Sequence, residues 1–326
     1  MELSARVVLL IFLFVAFFVT CCYGGSHGHH HVPGYNVIVS KDGSGNYTSV
    51  DEAIKNAPNM SDTSYHIYIR AGTYEENLYI PQNKTNIRLF GDGAHRTIIF
   101  SNGTNNQPQI HGAGFNAAYM SFVNGAGLTA GQATAVRNAA NNTIFYACSI
   151  EGYQDTLYTV KGTQWYENCE IYGTVDFIYG NAAAGFHDCM VYARFREVVT
   201  FIAQGRENPT DGTGFLFQRC NFTMSPEDHA RKLEVSARLG RGWKPYSNVI
   251  IMGSYIDAMV APNGWDQFHD VPTDKLTYVE YGNVGPGSNT DGRVKWPGVK
   301  AFHNLTELSL FLLARHSWIP LPWYPY

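Results

Sequence analysis

Phe145-Tyr-Ala-Cys148-Ser-Ile150-Glu-Gly152, Tyr166-Glu-Asn-Cys169-Glu-Ile171-Tyr-Gly173 and Phe186-His-Asp-Cys189-Met-Val191-Tyr-Ala193 are versions of one phrase, recurring after 21 and then 20 residues. Each is a short strand with alternating apolar positions, and Gly and Asn stand where a chain turns corners. A period of this length is that of a solenoid in which each repeat forms one coil. Leucine-rich repeats have a similar period, but their leucine spacing is missing and no helical segment fills the repeat. The expected fold is therefore all-β: a right-handed parallel β-helix, a single-stranded solenoid with short helices near the termini. Residues two apart share a strand face, so Cys148 with Ile150, Cys169 with Ile171 and Cys189 with Val191 point inward as stacked columns. A cysteine column of this kind is a packing ladder first, although neighbouring coils lie close enough for a disulfide.

The same arithmetic locates the chemistry. Asp155 lies seven residues after Cys148 and Asp176 seven after Cys169, so the two carboxylates hold equivalent places on successive coils. Adjacent strands lie about 4.8 Å apart. If alternation persists past the glycines, both aspartates face away from the buried row, into a surface groove. Two carboxylates that close cannot both ionise easily, so one pKa is expected to rise and the other to fall, as a general acid beside a nucleophile requires. Asp at solenoid corners is otherwise a turn residue. Asp176, however, sits between Val175 and Phe177, where a lone carboxylate is costly unless paired or used.

The bulk properties of the 326 residues fit this reading. Glycine, asparagine and tyrosine are plentiful, which favours strands and turns, and the net charge of -4 provides no global field for nucleic acid or another polyanion. An acidic substrate would need a local basic site. Residues 1–6 are positively charged in part, residues 7–19 are unbroken apolar sequence and small residues 24–26 follow, the layout of a secretory signal peptide. That run is too short to span a bilayer comfortably, and no other segment is apolar enough. The expected organisation is a leader over residues 1–25 and one catalytic domain over 26–326. In the secretory pathway Asn46, Asn59, Asn83, Asn102, Asn141, Asn221 and Asn304 head usable glycosylation triplets. Cys148, Cys169, Cys189 and Cys220 would remain after cleavage, and three pairings stay open. His27, His29, His30 and His31 suggest a metal site, but in a short Gly/Ser/His stretch a disordered polar leader is the better reading.

Gly152-Tyr-Gln-Asp-Thr-Leu-Tyr158, Gly173-Thr-Val-Asp-Phe-Ile-Tyr-Gly-Asn-Ala182 and Leu239-Gly-Arg-Gly-Trp243 closely resemble the three signature blocks of the plant pectinesterase (pectin methylesterase) family. Val39-Ser-Lys-Asp-Gly-Ser-Gly-Asn-Tyr-Thr48, Ala71-Gly-Thr-Tyr-Glu-Glu76, Gly131-Gln-Ala-Thr-Ala-Val-Arg137, Ala203-Gln-Gly-Arg206 and Gly292-Arg-Val-Lys-Trp-Pro-Gly298 follow in the family's order. No long pro-region separates the leader from these blocks, so the resemblance is to the short form. It implies a parallel β-helix that hydrolyses galacturonate methyl esters in pectin, releasing methanol, with neither metal nor organic cofactor. It implies Asp176 as nucleophile and Asp155 as the acid that protonates methanol and then activates water. Gln132 and Gln154 would stabilise the oxyanion, Arg241 would orient Asp176, and Trp243, Trp265 and Tyr158 would bind the sugar. It also implies a secreted, monomeric cell-wall protein whose partner is pectin, leaves room for a proteinaceous inhibitor, and points to no nucleic-acid or membrane partner.

These roles are chemically sensible. A carboxylate is a weak nucleophile that an arginine fork can fix and keep ionised, neutral amides support an oxyanion without neutralising the aspartate, and sugar faces stack on tryptophan. Each helper also has a plain structural alternative: Gln132 as a strand cap, Trp265 as core, Arg241 as a surface ion pair. Arg196, seven residues after Cys189, is a rival arginine, but the coil lengthens near Arg194. The family usually has proline where Gly242 stands, so a more mobile loop is expected there. Residues 102–109 are fewer than usual, and Tyr179 replaces a common phenylalanine. The Asp-Asp pair and Gly-His-Gly of a polygalacturonase and the calcium-binding carboxylates of a pectate lyase are absent. A wall-bound pectin binder without turnover is the non-enzymatic alternative.

Overall fold

The computed structural model describes residues 34–104 and 107–315. The leader expected over residues 1–25 and the histidines at 27–31 lie outside them. The chain winds through three parallel sheets, visiting each once per coil. The first sheet has eleven strands and the second and third have eight each. In the central coils, strands Thr143–Tyr146, Ser149–Glu151 and Leu157–Thr159 are followed by Thr163–Glu167, Glu170–Gly173 and Val175–Gly180, each pairing in parallel with its predecessor one coil earlier. This is the parallel β-helix expected from the repeat.

The register explains the period. Phe145, Tyr166, Phe186 and Phe217 are paired rung to rung in the first sheet, and their rings stack inside the coil at centroid separations of 5.1, 4.9 and 4.4 Å. Ile150, Ile171, Val191 and Phe222 form the matching row of the second sheet. Between these sheets the chain turns on a single left-handed residue just ahead of the inward position: Ala147, Asn168, Asp188 and Arg219, at φ of 48 to 54°. Cys148, Cys169, Cys189 and Cys220 follow those corners, all buried and all free thiols. Each S–H donates to a carbonyl in the preceding coil, Cys169 to Phe145 at 3.3 Å and Cys189 to Tyr166 at 3.4 Å, so the column packs and caps backbone groups.

Two helices lie near the ends, as expected. Helix α1, Val50–Asn56, is capped by Ser49 accepting from Glu52 N and buries Val50, Ala53 and Ile54. The buried Lys84 ammonium donates to the Lys55 and Ala57 carbonyls at its C-terminal end. Helix α2, Leu305–Arg315, packs Leu308 against Ile250, Met252 and Val279 on the outer face of the first sheet. Among the described residues no helix is long and apolar enough to cross a membrane.

Candidate active site

The third sheet carries the site. Its outward row runs Tyr79, Gln109, Arg137, Tyr158, Tyr179 and Ala203, one residue per coil, with Arg241 and Asp266 continuing it. Asp155 and Asp176 sit where the chain enters this sheet from the second one. Leu157 pairs with Ile178 and Tyr158 with Tyr179, a 21-residue offset that also relates the two aspartates. The Asp155 amide donates to the Val175 carbonyl at 3.0 Å. The carboxylates thus hold equivalent places one strand spacing apart.

The route to that placement differs from simple alternation. Asp155 and Asp176 are both left-handed, at φ of 61 and 50°, a conformation that costs an L-residue roughly 1–2 kcal/mol. The register with the following coil slips between Val175 and Ile178, and Phe177 and Ile178 are both core residues. A bulge therefore turns the Asp176 side chain outward while two successive apolar residues remain inside. The aspartates are only 6% and 8% exposed, set into the wall and not standing clear of it.

Their surroundings are unequal. Arg241 grips Asp176 with both arms of its guanidinium, Nε to Oδ1 at 2.8 Å and Nη2 to Oδ2 at 2.6 Å. With both oxygens accepting, this geometry calls for the ionised carboxylate. Ala203, the small residue between Tyr179 and Arg241 in the outward row, leaves room for that reach. Asp155 has no such fork. Burial, then the neighbouring Asp176, raise its pKa to about 7, against smaller downward pulls from Arg241, Gln154 and Gln132. Gln132 and Gln154 are backbone neighbours on successive coils, and Ala133 N donates to the Gln154 carbonyl at 3.1 Å.

The aromatic floor adjoins this pair. Tyr158 stacks on Tyr179 at 4.3 Å, and Trp243 meets both rings edge-on at 6.4 and 6.1 Å. The Tyr179 hydroxyl bonds the Thr134 hydroxyl at 2.9 Å, so the extra oxygen relative to phenylalanine has a partner. The loop after Arg241 lacks the slack expected from Gly242. A Cβ there would come within 2.5 Å of Leu276 Cδ2, and Gln204 ties the loop down by accepting from Trp243 N on its carbonyl and from Asn248 N on its side chain.

Trp265 requires a correction. It pairs with Gly240, not with Arg241, so its side chain points inward, out of the outward row. It is 0% exposed and stacks on Tyr278 at 4.1 Å, which makes it core and leaves no face for a sugar. Three positions later, Phe268 has its half-buried ring under Arg241 at 4.6 Å, beside the aromatic floor. Arg196 is exposed in the longer turn before strand Val198–Gln204 and is not part of the site. Arg137, inside a motif but not singled out from sequence, faces outward over Tyr158 at 5.6 Å and has no carboxylate partner among the described residues.

The family model described as Pectinesterase matches residues 36–317. The chain is 40% identical over 290 residues to the Arabidopsis thaliana "probable pectinesterase/pectinesterase inhibitor 39", covering 85% of this chain and 54% of the relative. It is 38% identical over 307 residues to pectinesterase 2 of Citrus sinensis, covering 88% and 59%. It thus spans somewhat more than half the length of these curated relatives. The solved pectin methylesterase from carrot superposes with a TM-score of 0.82 at 39% identity, covering 85% of this chain and 91% of that one. With the three-sheet coil, the paired aspartates and the arginine fork in place, the match over nearly all the described residues means that the chain belongs to the pectinesterase family.

Proposed function

We propose that the protein hydrolyses the methyl esters of galacturonate units in pectin, leaving pectate and methanol, as a monomeric enzyme secreted to the cell wall. Residues 26–326 would form one catalytic domain once a leader over 1–25 is removed. The observation that carries this reading is the inequality of two carboxylates on equivalent backbone positions: Asp176 held in the Arg241 fork, Asp155 raised to about 7.

In the mechanism this supports, an Asp176 oxygen attacks the ester carbonyl carbon. The carbonyl oxygen takes up the negative charge and accepts N–H bonds from the Gln132 and Gln154 amides. Collapse of this intermediate breaks the bond to the methoxy oxygen, which takes the Asp155 proton and leaves as methanol. An acid anhydride joins Asp176 to the galacturonate carbonyl. Asp155, now a carboxylate, removes a proton from water as its oxygen attacks that carbonyl, and Asp176 departs as a carboxylate. Asp155 ends protonated, ready for the next turnover. Tyr158, Tyr179 and Trp243 offer ring faces and edges for the sugar chain, and Arg137 is the local cation that an acidic polymer needs on a chain of net charge -4. The test is methanol release from highly methylated pectin by the purified protein and by its Asp176→Ala variant. Methanol from the first alone supports the reading; pectin binding without methanol from either overturns it in favour of a binding protein.

A further inference from the structure

We propose that Arg194 is a positioning residue for the proposed general acid, fastening from the second sheet the turn that carries Gln154 and Asp155. Glu151, Tyr172 and Tyr192 share one rung of that sheet, and Gly173 pairs with Ala193 on the next. In the first two of these coils the chain then turns into the third sheet and presents an aspartate. In the third coil the turn is longer and its first residue, Arg194, reaches back along the coil axis.

Arg194 Nη1 donates to the Gly152 carbonyl at 3.0 Å and Nη2 to Glu151 Oε2 at 2.9 Å. Its guanidinium lies over the rings of Tyr153 at 5.0 Å and Tyr172 at 5.2 Å, and its backbone N–H donates to the Gly173 carbonyl at 2.8 Å. One side chain therefore touches Glu151, Gly152 and Tyr153 in succession, the three residues that lead into Gln154 and Asp155. The other carbonyls of this turn are held by neighbouring coils: Tyr153 accepts from Thr174 N at 2.8 Å and Gln154 from Ala133 N at 3.1 Å. The Gly152 carbonyl is held by Arg194.

This arrangement matters because Asp155 is left-handed and cannot lean on strand geometry for its direction. A turn with one carbonyl released can rotate its first peptide, which swings the Gln154 amide and the Asp155 carboxyl relative to Asp176. Lysine at 194 would keep the charge facing Glu151 but could not span Glu151 and Gly152 with a planar fork or lie flat on two tyrosines. Misplacement of a reacting group by about 1 Å costs on the order of 100-fold in rate. The expected loss is thus in the chemical step, not in pectin binding.

The inference rests on the esterase reading for what Asp155 does, but the fastening of the turn can be measured separately. Arg194→Lys and Arg194→Gln would be compared with Arg219→Gln, which removes an outer-face arginine bonded to Asp188 across one coil step. For methanol release, both Arg194 variants are expected to lose roughly 10- to 100-fold in kcat with KM within about twofold, and to shift the alkaline limb of the kcat–pH profile. Amide hydrogen exchange over residues 152–155 should accelerate in both. The Arg219 variant should change none of these. Arg194 variants that lose only thermal stability, with kcat, alkaline limb and exchange as in the parent, would overturn the proposal. If Arg194→Gln does not fold, the lysine variant decides. If the parent releases no methanol, the esterase reading fails, and the exchange data alone decide whether Arg194 fastens the turn.

Discussion

Replacing Asp155 with asparagine should make the protein more stable, and increasingly so as the pH rises. Below the ordinary aspartate value of 3.8 the side chain is protonated in both folded and unfolded chains, so its titration contributes nothing there. Between 3.8 and about 7 the unfolded chain releases the proton while the folded one retains it. The unfolded state gains, and stability falls steadily across that window, levelling off above it. At about 1.4 kcal/mol per pH unit the total is about 4 kcal/mol, a large share of the 5–15 kcal/mol typical of a domain. Asparagine is nearly isosteric, keeps hydrogen-bonding capacity beside Gln132 and Gln154, and does not titrate. Urea unfolding of both proteins from pH 4 to 8 should therefore give diverging curves, the variant gaining about 4 kcal/mol on the parent, with most of the divergence between pH 4 and 7. Curves that stay parallel within about 1 kcal/mol would refute the claim that burial and Asp176 hold the proton on Asp155.

Other substitutions separate the roles of the neighbouring groups. Arg241→Met leaves the Asp176 carboxylate without its fork, and kcat for methanol release should drop about 100-fold or more, as expected when the attacking group is no longer held in place; an unchanged kcat would remove Arg241 from the mechanism. Trp265→Ala should cost about 3–5 kcal/mol in urea unfolding with KM for pectin unchanged, because the ring is core, whereas Phe268→Ala should do the reverse, raising KM or lowering kcat at little cost in stability. Arg137→Gln should raise KM several-fold for partly de-esterified pectin and weaken the salt dependence of binding, read by titration at two ionic strengths.

The period of the coil was legible because the inward rows repeat it: Phe145, Tyr166 and Phe186 stack, and the cysteines after each corner form a buried column. The aspartate pair followed from counting along that period. What counting could not supply was backbone conformation and register. The left-handed turns at Asp155 and Asp176 end the alternation on which the outward placement was first argued, and a bulge restores it by another route. Trp265 was misread because its neighbour across the sheet is Gly240, which shifts it one place from the outward row; no local pattern around Asn263-Gly-Trp265 reveals that pairing. Arg196 matched the count from Cys189 but falls in a turn whose extra residues move the register from a 21-residue offset to 25 at Val175 and Thr200.

A repeat by itself gives two aspartates the same backbone and therefore the same chemistry, while ester cleavage needs one to be ionised and the other to carry a proton. The difference enters along the coil axis. Asp176 faces the later coils, where Ala203 is small enough to let Arg241 reach across, and receives a cation. Asp155 faces the earlier coils, where Gln132 joins Gln154 of its own turn and both offer only neutral amides, and its largest influences are burial and the charge of its twin. Exchanging the two environments should exchange the roles. A cation introduced beside Asp155, for example by Gln132→Lys, should pull its pKa down, move the alkaline limb of kcat to lower pH and depress turnover near neutrality. An unmoved limb would show that the proton relevant to the rate is held elsewhere.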